Sequence, residues 1–142
     1  MSIKLITTDE ELHSCFAVYH ELRPHLENSE QFIRQVKLQY AENFLIAALF
    51  NQSGVAVACI GFRLMHTLAW GKIVYIDDLI TGSQFRGNGA GNKLLDYVID
   101  YAKEHNCAQV HLDTGYQRNA AHKVYLAKGF QLNCHHLALN LE

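Results

Sequence analysis

The chain is short of several things, and each shortage excludes a class of protein. One proline in 142 residues leaves no polyproline linker and no low-complexity tract. Charge of either sign is not in excess: 12 Lys and Arg stand against 14 Asp and Glu, for a net charge of -2 and a pI near 6.5. Such a balance gives no electrostatic footprint for nucleic acid, so no nucleic-acid partner is expected. No apolar run approaches the roughly 20 residues of a membrane helix, and the segment Met1 to Glu10 turns acidic too soon for a signal peptide. No membrane partner is expected either. The four cysteines, Cys15, Cys59, Cys107 and Cys134, lie far apart and form no C-x-x-C pair. Their apolar surroundings fit buried thiols in a reducing compartment, and hence a cytoplasmic protein. Nine histidines include no H-E-x-x-H, and strand alternation would send His135 and His136 to opposite faces. No metal site is expected.

What is present is a large apolar content, 49% of residues, enough for one domain spanning residues 1–142. Lys4–Ile6 reads as a first strand. Thr8 to Glu11 is a capping box opening a helix whose apolar side holds Leu12, Cys15, Phe16, Val18, Tyr19 and Leu22 and which ends near Pro24. Asn28 or Ser29 caps a second helix through Phe32, Ile33, Val36 and Tyr40. Phe44–Phe50 and Val55–Leu64 read as a hairpin about the turn Asn51-Gln52-Ser53-Gly54. Val74–Thr81 is a strand, and Leu94, Leu95, Val98, Ile99 and Ala102 mark a helix. Gln109–Asp113 is a strand, Ala120–Lys128 a helix stopped by Gly129, and His135–Leu141 a final strand. An early hairpin with late crossover helices implies a mixed sheet covered by helices.

The most informative segment is Arg86-Gly87-Asn88-Gly89-Ala90-Gly91, between the Val74–Thr81 strand and a helix. Glycine permits positive φ and close approach of a ligand to the backbone. The free N–H groups of a first helical turn, with the helix dipole, favour an anion such as phosphate. The dinucleotide fingerprint fails because Asn92 stands where its third glycine belongs, and the P-loop fails because Lys93 precedes Leu94. An ordinary strand-to-helix turn remains the other reading of the residues.

The pattern R/Q-x-x-G-x-G/A, with Arg86, Gly89 and Gly91 in register, resembles the acetyl-CoA pyrophosphate loop of the GNAT superfamily of N-acetyltransferases. The run Arg118–Phe130 is similar to a second GNAT signature, N-x-x-A-x-x-x-Y-x-x-x-G-F, through Ala121, Tyr125, Gly129 and Phe130. The family's leading asparagine falls on Arg118. Leu112-Asp113-Thr114-Gly115, with Arg118, His122 and Tyr125, looks like a subgroup that includes aminoalkylphosphonate N-acetyltransferase-like sequences. The resemblance covers nearly the whole chain. It implies an α/β (α+β) fold with a largely antiparallel central sheet of six to seven strands flanked by about four helices.

The resemblance also implies acetyl-CoA as acetyl donor and a site assignment. The cofactor would be held by Leu79, Ile80 and Thr81 along the pantetheine arm. Arg86, Gly87, Asn88, Gly89, Ala90, Gly91 and Asn92 would hold the pyrophosphate, with Arg118, Ala121 and Tyr125 completing the set. A free alkylamine is mostly protonated at neutral pH, so a base is required. Adjacent strand residues point to opposite faces, so only one of Asp77 and Asp78 can serve. The resemblance places Asp77 slightly ahead, since an acid aligns with it in some polyamine-type GNAT enzymes, and Asp113 is a third candidate. Tyr125 is the expected acid for the departing thiolate. The acceptor is expected to be the primary amine of a small molecule. Acetylation of a protein N-terminus or lysine is the enzymatic alternative, and a CoA-binding sensor without turnover the alternative of another class. The apolar last strand points to a homodimer.

Overall fold

The computed structural model describes residues 1–141, in two compact units: Met1–His111, and the segment from Leu112 onward. The first unit opens with β1 (Ser2–Leu5) and α1 (Asp9–Leu22). Thr8 caps α1: its hydroxyl accepts from the Glu11 amide at 3.1 Å while Glu11 reaches back to the Thr8 amide, also at 3.1 Å. Asn28 caps α2 (Ser29–Tyr40) through the Gln31 amide at 2.8 Å. The hairpin β2 (Phe44–Phe50) and β3 (Ala56–Thr67) turns through Asn51, whose side chain accepts from the Ser53 and Val55 amides. β4 (Gly71–Thr81) follows, then a 3-10 turn at Ser83–Phe85, α3 (Ala90–Glu104) and β5 (Gln109–Leu112).

The strands form one sheet in the order β1-β2-β3-β4-β5, with the first four antiparallel. β2 and β3 read as near-continuous apolar runs because both faces of the sheet are covered. Phe44, Ile46, Ala48 and Cys59 join the core of α1 and α2, which contributes Leu12, Cys15, Val18, Tyr19, Phe32, Ile33 and Val36. On the other face, Phe62 meets Tyr101 of α3 edge-on at 5.1 Å. Leu94, Leu95 and Val98 of α3 are fully buried at helical spacing. Truncating one of them, Leu94→Ala for instance, costs about 2–5 kcal/mol.

The segment from Leu112 onward carries α4 (Asn119–Lys128), ended by Gly129 at φ 102°. Among the described residues there are thus four α-helices and five strands, a mixed α/β architecture. Two expectations are corrected. The sheet has five strands rather than six to seven, and His135–Leu141 forms no strand. Its alternation is strand-like, yet Leu137, Leu139 and Leu141 are 84–91% exposed. Without a buried face, alternation alone does not fix a strand.

Candidate active site

The glycine loop has the geometry its composition calls for. Gly87 and Gly89 take φ of 86° and 76°, a region that costs other residues energy. Among the described residues, a Cβ placed on Gly87, Gly89 or Gly91 would meet no atom within 4 Å beyond its chain neighbours and its own helix, so the loop faces open space. Gly89 is the N-cap of α3, and no side chain caps the helix. The Lys93 amide donates to the Gly89 carbonyl at 3.1 Å, which leaves the Ala90, Gly91 and Asn92 amides without intrahelical acceptors. Arg86, just before α3, is tethered by its contacts: Nε donates to the Thr81 carbonyl at 3.3 Å, and Nη2 lies 3.8 Å from Glu21 of α1. Glu21 also accepts from the Ser83 amide at 3.0 Å, tying the turn to α1. Asn88 is exposed, its amide reaching the Phe85 carbonyl at 3.5 Å.

Along β4, Leu79, Ile80 and Thr81 pair with Ile60, Cys59 and Ala58 of β3. Their other edge is left unpaired by β5, which enters the sheet at Lys72, where the Ala108 amide donates to the Lys72 carbonyl at 2.8 Å. Four residues of β5 do not reach Leu79. An open strand edge beside an uncapped helix N-terminus is an arrangement that can take an extended amide chain ending in phosphates.

The register of β3 and β4 slips at one point. Gly61 faces Asp78 and Phe62 faces Ile76, so Asp77 is the extra residue of a β-bulge. The bulge overturns the expectation that Asp77 and Asp78 face opposite ways. Arg63 shares its face of the sheet with Phe44 and Gly61, the face covered by α1. Asp77 accepts from Arg63 Nε and Nη2 at 3.0 and 2.6 Å. Asp78 accepts from Arg23 Nε and Nη2 at 3.2 and 2.7 Å, and from the Tyr19 hydroxyl at 3.3 Å. Both carboxylates therefore sit on the α1 side. Burial pushes the Asp78 carboxyl above its ordinary range, Arg23 opposes this, and the Asp77 charge adds to it. Burial likewise pushes the Tyr19 phenol well up, so it remains a hydrogen donor.

In the second unit, Tyr125 is half-buried and packs edge-on against Phe130 at 5.9 Å. Burial raises its phenol above the ordinary tyrosine value, with Arg118 opposing. Arg118 precedes α4, whose first turn includes Ala121, and His122 lies 2.9 Å from the Gly115 carbonyl. Asp113 lies 3.3 Å from His136. Among the described residues no group of three or more His, Cys, Asp or Glu could hold a metal ion.

The structure adds residues that the sequence pattern did not mark: Tyr19, Glu21, Arg23, Gly61 and Arg63. Two of them carried a signal. Arg63 is a lone charge in an apolar strand, and Arg23 ends an amphipathic helix on its apolar side. Trp70 of the β3–β4 connection lies on His111, ring centroids 4.2 Å apart.

The sequence profile of the Acetyltransferase (GNAT) family matches residues 7–130. The uncharacterized N-acetyltransferase YhdJ of Bacillus subtilis (strain 168) is 30% identical over 131 residues, 92% of each chain. Glucosamine 6-phosphate N-acetyltransferase of Arabidopsis thaliana is 26% identical over 89 residues, 59% of this chain and 60% of that one. Among solved structures, a Trypanosoma brucei acetyltransferase superposes with a TM-score of 0.82 at 16% identity, over 99% of this chain and 100% of that one, a likeness of fold. The chain belongs to the GNAT acetyltransferase family.

Proposed function

We propose that this chain, as one domain over residues 1–142, transfers an acetyl group from acetyl-CoA to the primary amine of a small molecule, by direct attack within a ternary complex. The observation that carries it is the uncapped N-terminus of α3 at Gly89, facing open space beside the unpaired Leu79–Thr81 edge. Acetyl-CoA brings an activated thioester carbonyl and a thiol leaving group. The amides from Gly87 to Asn92 and the Arg86 guanidinium hold the pyrophosphate. Leu79, Ile80 and Thr81 offer main-chain partners to the pantetheine arm, and Arg118, Ala121 and Tyr125 belong to the same binding set by motif position.

Deprotonation of the amine falls to the acids of the bulge. Asp77 is fastened by Nε and Nη2 of Arg63, whereas burial gives Asp78 the raised proton affinity a base requires. This favours Asp78 over Asp77. Tyr125, kept protonated by its burial, supplies the proton to the departing sulfur. The relative from Arabidopsis is named for an amine substrate, glucosamine 6-phosphate, which supports a small-molecule acceptor. Kinship with aminoalkylphosphonate N-acetyltransferase-like sequences, a homodimer, and a cytoplasmic setting for the four free cysteines are parts of the same proposal. Among the described residues, no helix is long and apolar enough to cross a membrane.

The test is calorimetric titration with CoA, followed by thiol release from acetyl-CoA over an amine panel. Tyr125→Phe should lose turnover by about 10²-fold or more, the range of a lost general acid, with CoA binding still measurable by calorimetry. CoA binding without thiol release on any amine would assign the chain as a sensor, and absence of CoA binding would refute the whole proposal.

A further inference from the structure

The two arginines of the bulge differ in how far their donors are used. Every guanidinium nitrogen of Arg63 faces a carboxylate: Nε and Nη2 meet Asp77 at 3.0 and 2.6 Å, and Nη1 lies 3.5 Å from Glu42. Its side chain is 19% exposed and lies over the Phe44 ring. Arg23 uses Nε and Nη2 on Asp78, and Nη2 also on the Asp77 carbonyl at 3.2 Å. Among the described residues its Nη1 makes no hydrogen bond, and the side chain is 42% exposed. The backbone holds it in place. Arg23 is the C-cap of α1, its amide donates to the Tyr19 carbonyl at 2.8 Å, and Pro24 restricts its backbone from the other side. The result is a fixed fork with one arm on Asp78 and the other toward solvent.

That free arm stands beside an excess of negative charge. Arg23 and Arg63 face three carboxylates, those of Glu42, Asp77 and Asp78. An ammonium suits the excess, but an amine alone would leave Nη1 unpaired once water is displaced. A bare anion would meet the repulsion of Asp78. A molecule with both signs satisfies both groups in alternating order, its anion on Arg23 and its ammonium on the carboxylates. The planar guanidinium fork fits the oxygens of a carboxylate or phosphate.

We propose that Arg23 is a specificity-determining residue and that the acceptor amine also carries an anionic oxygen group, recognised by the free arm of that guanidinium. This rests on the acetyl transfer proposed above. The experiment measures thiol release from acetyl-CoA with matched amine pairs: β-alanine against propylamine, and O-phosphoethanolamine against ethanolamine. The first pair reports on a carboxylate, the second on a phosphate. The wild type should prefer the anionic member of at least one pair in kcat/KM. Arg23→Gln should lower that preference ratio by about 10- to 100-fold, mainly through KM, as expected for a lost hydrogen bond to a charged group. Arg23→Lys should recover part of it, and it serves as the test should Arg23→Gln fail to fold by circular dichroism. Turnover without preference for the anionic members, or a ratio unmoved by either substitution, overturns the inference and leaves the acetyl transfer standing. Absence of CoA binding, or of thiol release on every amine, overturns both.

Discussion

Gly61→Ala is the sharpest test of the packing under the bulge. A Cβ at this position would stand 2.6 Å from Asp78 Oδ2, 2.7 Å from Phe44 Cζ and 2.7 Å from the Tyr19 hydroxyl. None of the three can swing aside freely. Asp78 is held by Arg23, while Phe44 and Tyr19 are 2% and 3% exposed. Overpacking of a filled core costs about 1–3 kcal/mol, and the lower entropy of the unfolded Ala chain returns about 0.4–1 kcal/mol. The net loss is about 1–2 kcal/mol, which for a chain of this size lowers Tm by about 3–8 °C. Thermal unfolding followed by circular dichroism reads this directly. Tyr19→Phe removes one of the three colliding atoms. The double substitution should therefore be less destabilised than the sum of the single ones, by about 0.5 kcal/mol or more. An unchanged or raised Tm in Gly61→Ala, or strict additivity with Tyr19→Phe, would show that the pocket beneath Asp78 is slack.

Gly89→Ala forces an alanine into φ 76° at the N-cap of α3 and should cost about 1–2 kcal/mol in denaturant unfolding, with weaker CoA binding by calorimetry. Gly91→Ala has neither a positive φ nor a neighbour within 4 Å, so it should gain up to about 1 kcal/mol as a better helix former while keeping CoA affinity; equal behaviour of the two variants would contradict the loop geometry. Glu11 is held down to about 2, first by its bond to Lys4 and then by the Thr7 amide, from an ordinary 4.5. Since its folded value lies below its unfolded one, its stabilisation is complete above about 4.5 and lost as pH falls toward about 2. The stability difference between wild type and Glu11→Gln should follow that course in acid titration, and a difference independent of pH would contradict it.

Much of this architecture was legible because local chemistry and global fold agree. The Thr8–Glu11 capping box, the Asn51 turn and the αL glycine at Gly129 each set one boundary with their own atoms. The apolar runs of β2 and β3 needed only that both faces be covered. The glycine loop was legible for the same reason: positive φ at Gly87 and Gly89 is a requirement that the residue type itself announces. The final strand was not legible in this sense, because Leu137, Leu139 and Leu141 show the period of a strand but nothing in the residues names a partner. The acids of β4 mislead in a subtler way. Alternation assigns Asp77 and Asp78 to opposite faces only while the register of the ladder is unbroken, and a bulge is a property of two strands rather than one. The partners of the two acids lie outside β4: Arg63 of β3 and Arg23 at the end of α1 bind both carboxylates on one side. Gly61, lacking a side chain at the slip, leaves the volume that Asp78 occupies. The two acids gain their arginine partners only when three segments distant in sequence meet, so their electrostatics had to be read from the folded chain.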